Sequence, residues 1–266
     1  GLAQITEIPR VAMYQVLSWV MPMNLIRYVY IFGNLYIGVV GVFFLTWYLS
    51  KSKLAALAGA LFYLFNLGTL QVFFMPSEMF VVNYAALPWL FLLLFRYLSD
   101  ENRVSLWWYA GLLFLFAPMA MTPTIFVVYL LFLGVIVMGY LLSKARLGIK
   151  WKRVLGIVGV TMGMSMYFLL PFVNFALNNA GVLTQSKINS VFSQENYLMN
   201  AGRTSWSDLV TLKGMWFDYP DNVNGQLVPL MGEWNQYLVS VGMWLYVPVI
   251  FIGTGIIVML WKKKWY

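Results

Sequence analysis

Polar and apolar positions do not alternate along this chain; the polar ones collect in short gaps between long apolar runs. Runs near the roughly 20 residues that cross a hydrocarbon core cover 26–49, 54–74, 81–98, 124–142, 154–177 and 239–260, and a shorter run covers 106–117. This pattern predicts an all-α integral membrane helical bundle of about seven transmembrane helices. Asn34 and Asn66 lie inside the first two runs, Pro88 interrupts the third, and Pro171 bends the run at 154–177. Pro118 and Pro123 bracket the end of the short run, which reads as tilted, broken, or half of a re-entrant hairpin with its successor.

The gaps divide the chain into four parts: an external or interfacial segment at 1–25, a six-span bundle at 26–177, a long external loop at 178–238, and a last helix with a basic tail at 239–266. Residues 10–20 suit a helix lying in the membrane interface, or an ordinary loop with one helical turn. In the long loop, Ser205-Trp-Ser-Asp208 has the spacing of a capping box and predicts a helix over 206–213. Tyr219-Pro-Asp-Asn222 reads as a turn. No repeat of fixed period and no low-complexity segment is visible.

Composition agrees with the pattern. Hydrophobic residues make up 62% of the chain and charged residues 10%, against about a quarter charged in soluble domains. Lipid is therefore the solvent for most of the chain. With neither cysteine nor histidine, disulfides, Cys or His zinc sites, Cys nucleophiles and His general bases are excluded. No metal site is read from the sequence; a divalent cation would have to sit on carboxylates and carbonyls. Any acid–base chemistry falls to Asp, Glu, Lys or Tyr.

Charge then orients the chain. If the first run passes from outside to inside, the inner loops and tail hold twelve of the seventeen Lys and Arg residues, and the outer side holds Arg10, Arg27, Lys187, Arg203 and Lys213. The positive-inside rule places the N-terminus outside and the C-terminus inside. It also explains the net charge of +8 without nucleic acid as a partner. Seven of nine acids, among them Glu7, Glu78, Asp208, Asp218 and Asp221, fall on the outer side.

Candidate chemistry gathers at the outer turns. Glu78 stands at the membrane edge behind Pro76, and a carboxylate beside hydrocarbon is a functional-site hypothesis, although a solvated loop residue would look the same. Asn66 and Asn83 flank that turn; buried amides more often join helices. Asp218 and Asp221 bracket a candidate cation turn, or are surface charges. Arg203 and Lys213 could pair with a phosphate, and Trp216 and Tyr219 could stack on sugars or anchor the loop at the headgroups.

Three stretches, Ala60-Leu-Phe-Tyr-Leu-Phe-Asn66, Pro76-Ser-Glu78 and Leu87-Pro-Trp89, together resemble polytopic glycosyltransferases of the GT-C superfamily, nearest to arabinofuranosyltransferase-like members or YfhO-like membrane proteins. Leu209-Val-Thr-Leu-Lys-Gly-Met-Trp216 is similar in style. The resemblance implies a multi-pass protein of a prokaryotic plasma membrane, working among membrane lipids. It would take sugar from a polyprenyl-phosphate donor and pass it to a glycan acceptor of the cell envelope. It implies a catalytic acid in the first external loop, which would lie upstream of Gly1 in a longer parent unless Glu7 is its remnant. The expected site is then Glu78 and Glu7 as carboxylates, Arg203 and Lys213 for phosphate, and Trp216, Tyr219, Asn66 and Asn83 for sugar. A lipid or glycolipid flippase or transporter, or a non-catalytic scaffold, is the alternative.

Overall fold

The computed structural model describes residues 2–100, 103–142, 147–185, 205–223, 225–242, 246 and 249–250. Its contacts divide the chain into two compact units, Gly1–Leu64 with Pro76–Ala180, and Phe65–Met75 with Gly181–Tyr266. The described residues of the first unit are built almost wholly of helix, and those of the second combine short helices with one β-hairpin.

In the first unit a 3-10 helix, Leu2–Glu7, leads into α1 (Ile8–Leu17), then α2 (Met23–Ser50) and α3 (Lys53–Phe65). After the excursion into the second unit come α5 (Glu78–Asp100), α6 (Arg103–Leu115), a buried 3-10 turn at Ala117–Met121, α7 (Pro123–Leu142) and most of α8 (Leu147–Gln185). Among the described residues, four helices are long and apolar enough to cross a membrane: Met23–Ser50, Glu78–Ser99, Thr124–Leu142 and Trp151–Asn179. α7 makes the case for lipid most plainly. Its span has a mean hydropathy of 2.7, yet only 22% of it is buried by protein, so the rest needs an apolar solvent.

α5 is the centre of the unit, with 56% of its span buried. Val82, Ala86, Leu90 and Leu94 face a core that also takes Tyr109, Met119, Tyr129, Ile157 and Phe168. α2 lies along it in parallel: Arg27 meets Glu78 at one end, Gly38 meets Tyr84, and Gly41 meets Trp89 further along. A Cβ at Gly38 would fall 2.5 Å from the Tyr84 ring, and one at Gly41 2.7 Å from Trp89 Nε1. Only glycine allows this approach, the small-residue packing that membrane helices use. The Trp89 indole N–H donates to the Ile37 carbonyl at 2.9 Å across the same seam. α3 completes the group through Tyr63 and Tyr84, whose rings stack at 4.2 Å and whose hydroxyls each donate to the other's carbonyl, at 2.8 and 3.1 Å. On the far side, the Tyr109 hydroxyl joins Tyr129 at 2.5 Å and Thr161 at 2.7 Å, tying α6, α7 and α8.

The apolar run at 54–74 is not one helix. It stops at Phe65 and restarts as α4 (Leu67–Phe74), and five candidate spans result only if both pieces count as one. The cause is Asn66, whose extended backbone (φ −85°, ψ 160°) and side-chain oxygen, accepting from Thr69 N–H at 2.9 Å, make it an N-cap. The short run at 106–117 forms the 13-residue α6, which rises about 20 Å, short of a ~30 Å hydrocarbon core. Of the run expected at 239–260 only 239–242, 246 and 249–250 are among the described residues, and Val239–Val241 close a helix ended by Gly242 (φ +53°).

In the second unit α9 (Trp206–Thr211) carries the capping box read from the sequence, with Ser205 and Asp208 bonded reciprocally. The expected turn at Tyr219–Asn222 is a correction. Pro220–Val223 is instead strand β1, paired antiparallel with β2 (Gln226–Pro229) in the register Val223 to Gln226, so the reversal falls four residues later. Asn-Gly is the preferred pair for a two-residue hairpin, and Gly225 takes the left-handed φ of +83° it demands. α10 (Gly232–Val241) follows, and Phe217, Met231 and Leu238 form a small core with Leu67 and Leu70 of α4.

The α2–α5 seam yields a prediction. Gly38→Leu should lower the melting temperature of the detergent-solubilised protein by the equivalent of about 1–3 kcal/mol, the usual cost of overpacking. Gly33→Ala, whose added carbon meets nothing within 4 Å, should not lower it. Equal melting of Gly38→Leu and the parent would show that the seam is not close-packed.

Candidate functional site

Two of the carboxylates picked out from the sequence come together in the first unit. Glu7 ends the first 3-10 helix, and that helix packs against the buried turn Ala117–Met121, which leaves Glu7 4% exposed. Glu78 begins α5. Arg10, one turn into α1, contacts Glu7 Oε2 directly and reaches Glu78 Oε1 at 3.5 Å. Arg27 on α2 donates from Nε to the same Glu78 oxygen at 3.0 Å. The order Glu7, Arg10, Glu78, Arg27 alternates in sign and sums to zero.

Burial grades this chain of charges, since Arg27 is largely exposed, Glu78 and Arg10 are partly buried, and Glu7 is nearly enclosed. Although paired with Arg10, neither Glu7 oxygen accepts an aligned hydrogen bond from the described residues. Loss of water by burial raises the Glu7 pKa above the ordinary carboxylate value; Arg10 pulls it back, and the Glu78 charge adds to the rise. Tyr14 lies beside the pair with its ring 5.5 Å from the Arg10 guanidinium and its hydroxyl buried, with no aligned hydrogen-bond partner among the described residues. Burial likewise pushes the Tyr14 hydroxyl above its usual pKa.

Arg10 also lines a cleft of about 630 Å³, whose walls include Tyr30, Asn34, Trp89, Trp108 and Phe116. That volume lies within the 300–1,000 Å³ of ligand pockets. Asn34 is fixed by donating to the Tyr30 carbonyl at 2.8 Å. Arg10 therefore joins the charged cluster to a hollow whose walls are otherwise apolar apart from Asn34.

The remaining candidates are placed differently. Asn66 is occupied as the cap of α4, and Asn83 is half-buried within α5. In the second unit Lys213 is paired with Asp218 at 2.9 Å, and Asp218 also accepts from Asn235 at 2.9 Å. Trp216 and Tyr219 lie 5.2 Å apart at 51°, and Tyr219 is exposed. Asp221 accepts from the backbone N–H of Asn222. Burial opposes ionisation of Asp208, but the Ser205 donors and the Lys213 charge outweigh it and hold its pKa below the usual value. A hollow of about 400 Å³ here touches Asp208, Lys213, Asp218 and Asn235, with Lys213 already neutralised. Arg203 lies outside the described residues. Among the described residues, no three acidic side chains gather as a metal site.

The two arginines of the cluster had been read from the sequence only as outer-side charges. The three-residue spacing of Glu7 and Arg10, neighbours on one helical face, was the available local signal. Nothing local marks Arg27, 51 residues from Glu78.

No family model, no curated protein and no solved structure matches this chain. The fold itself defines the class, that of a multi-pass helical membrane protein.

The raised Glu7 pKa has a signed consequence. Below the ordinary carboxylate value Glu7 is protonated both folded and unfolded, and burial costs nothing. As pH rises from there to the elevated folded value, the unfolded chain releases its proton first, so stability falls. Glu7→Gln should remove that decline, seen as a flatter dependence of melting temperature on pH from about 4.5 upward. An unchanged pH profile would show that Glu7 titrates normally.

Proposed function

We propose that this chain is the membrane part of a GT-C-type glycosyltransferase of a prokaryotic plasma membrane. In this reading it transfers sugar from a polyprenyl-phosphate-linked donor to a cell-envelope glycan or lipid at the outer face. The observation that supports it best is the meeting of Glu7 and Glu78 on Arg10, at the polar end of an apolar cleft. The cleft would take the start of the isoprenoid chain, and the arginines would hold the phosphate.

The chemistry follows from the charge order. Ionised Glu7 takes the proton of the acceptor hydroxyl as its oxygen attacks C1 of the sugar. The new C1–O bond forms as the bond from C1 to the phosphate oxygen breaks. Once protonated, Glu7 no longer neutralises Arg10, and the freed guanidinium offsets the charge that develops on the departing phosphate. Glu78 then holds Arg10 and Arg27 in place. This assigns the phosphate to Arg10 and Arg27 rather than to Lys213, which Asp218 already neutralises.

Charge also supports the proposed orientation. The Glu78 end of α2 and α5 has balanced charge, whereas the other end carries Lys51, Lys53 and Arg96 and would be the inner one.

In proteoliposomes of the full-length parent supplied with a polyprenyl-phosphate sugar, Glu7→Gln should lower kcat by about 10²–10⁴, the range for general-base loss. Glu7→Asp should recover part of it. Undiminished transfer by Glu7→Gln would remove Glu7 from the chemistry; no transfer by the parent with any donor would favour a flippase or scaffold. Because the chain lacks cysteine, orientation can be tested separately. Met23→Cys should label with an impermeant maleimide from outside, and Ser52→Cys only after the membrane is opened. The reverse pattern would invert the topology.

A further inference from the structure

The opposite end of the α2–α5 pair carries a second hollow, of about 360 Å³, bounded by Phe44, Trp47, Tyr48, Lys51, Leu92 and Arg96. Its walls are sorted by chemistry along the helix axes. Phe44 and Leu92 make the apolar part, Trp47 and Tyr48 the amphipathic part, and Lys51 and Arg96 the charged rim.

The rim is held in position. Lys51 ends α2 in the left-handed region (φ 56°), its backbone N–H donating to the Trp47 carbonyl at 2.9 Å. Its ammonium sits 4.4 Å from the centre of the Tyr48 ring, and that of Lys53 lies 5.8 Å from the Trp47 ring. Arg96 lies on the last turns of α5. Among the described residues neither Lys51 nor Arg96 has a carboxylate within 4 Å, whereas Arg10 and Arg27 at the other end both do. Lys51, set against the Tyr48 ring, and the exposed Arg96 thus stand over an aromatic and aliphatic wall, with no carboxylate within 4 Å among the described residues.

Their depth fits a lipid surface. The 28 residues of α2 rise roughly 40 Å, about the thickness of a bilayer with its headgroup layers. Lys51 therefore sits at headgroup level, Trp47 and Tyr48 at the interface where such rings collect, and Phe44 within the acyl region.

We propose that this hollow is a binding site for one anionic phospholipid. Lys51 and Arg96 would hold its phosphate-bearing headgroup, and one acyl chain would lie along Phe44 and Leu92. A zwitterionic lipid brings a cation of its own toward the rim and would bind less well. The proposal does not depend on glycosyl transfer.

The test uses the intact protein in a neutral detergent, titrated with phosphatidylglycerol and, separately, with phosphatidylcholine of the same chains, and read by native mass spectrometry. One phosphatidylglycerol should be retained in preference to phosphatidylcholine. Removing both charges in Lys51→Asn/Arg96→Gln should weaken that site roughly thirtyfold; asparagine tolerates the left-handed position. Lys51→Arg/Arg96→Lys should keep it. A photoactivatable phosphatidylglycerol acyl chain on the unaltered protein should crosslink to peptides containing Phe44 or Leu92, independently of how any variant folds. Equal affinity for the two lipids, undiminished binding by the charge-removed variant, or crosslinks confined to other helices would overturn the proposal. So would displacement by millimolar inorganic phosphate, which would make free phosphate the ligand.

Discussion

The arrangement of the first unit depends on two glycines. Gly38 and Gly41 leave room on α2 for the Tyr84 ring and the Trp89 indole of α5 to pack directly against its backbone. Because membrane helices gain no hydrophobic energy by leaving lipid for one another, such contact rests on packing and on specific hydrogen bonds. The Trp89 bond to Ile37 supplies one of these in the seam, and the Tyr63–Tyr84 exchange supplies two more to α3. The seam is parallel, so it brings the starts of α2 and α5 together at one end and their finishes together at the other. Arg27 meets Glu78 at the first, and Lys51 meets Arg96 across one hollow at the second. The two ends differ in charge, and the same geometry produces both.

The charged cluster shows why arginine suits such a place. Arg10 touches two carboxylates from helices far apart in sequence, which its planar fork can do and a lysine ammonium does less well. Glu7 reaches it because the 3-10 helix Leu2–Glu7 packs on the buried Ala117–Met121 turn. That turn, with Pro118 inside it and Pro123 just after it, joins α6 to α7 and also supports the 3-10 helix that carries Glu7. A carboxylate enclosed beside a single cation ionises less readily than one in water, which favours exchanging a proton over only holding a charge.

Much of the helical frame was legible because a long apolar run has few other uses. The helices of the runs at 26–49, 81–98, 124–142 and 154–177 all form. The break at Asn66 was harder to see. An asparagine within an apolar run reads as an interhelical amide, yet Asn66-Leu-Gly-Thr69 puts an accepting oxygen at the right distance from the Thr69 backbone N–H for a cap. Proline drew attention to Tyr219–Asn222, while the stronger signal, Asn224-Gly225, lay just beyond it. In the candidate site, Glu7 and Glu78 stood out because acids are rare here. Their partners did not, since Arg10 and Arg27 approach Glu78 across 68 and 51 residues, and no periodicity encodes contacts at such separation. The closeness of Gly38 to Tyr84 was hidden for the same reason.

Asn66 also divides the chain in time. It starts α4, whose Leu67 and Leu70 pack with Phe217, Met231 and Leu238. About 150 residues separate Leu70 from Phe217, so at 5–20 residues per second a ribosome needs roughly seven to thirty seconds to supply the partner. Throughout that interval α4 has left the ribosome without the side chains it will pack against, while α2 and α3 are already made. The nascent chain must therefore keep an apolar helix of eight residues in reserve, and the cap at Asn66 gives that helix a defined beginning before its core exists.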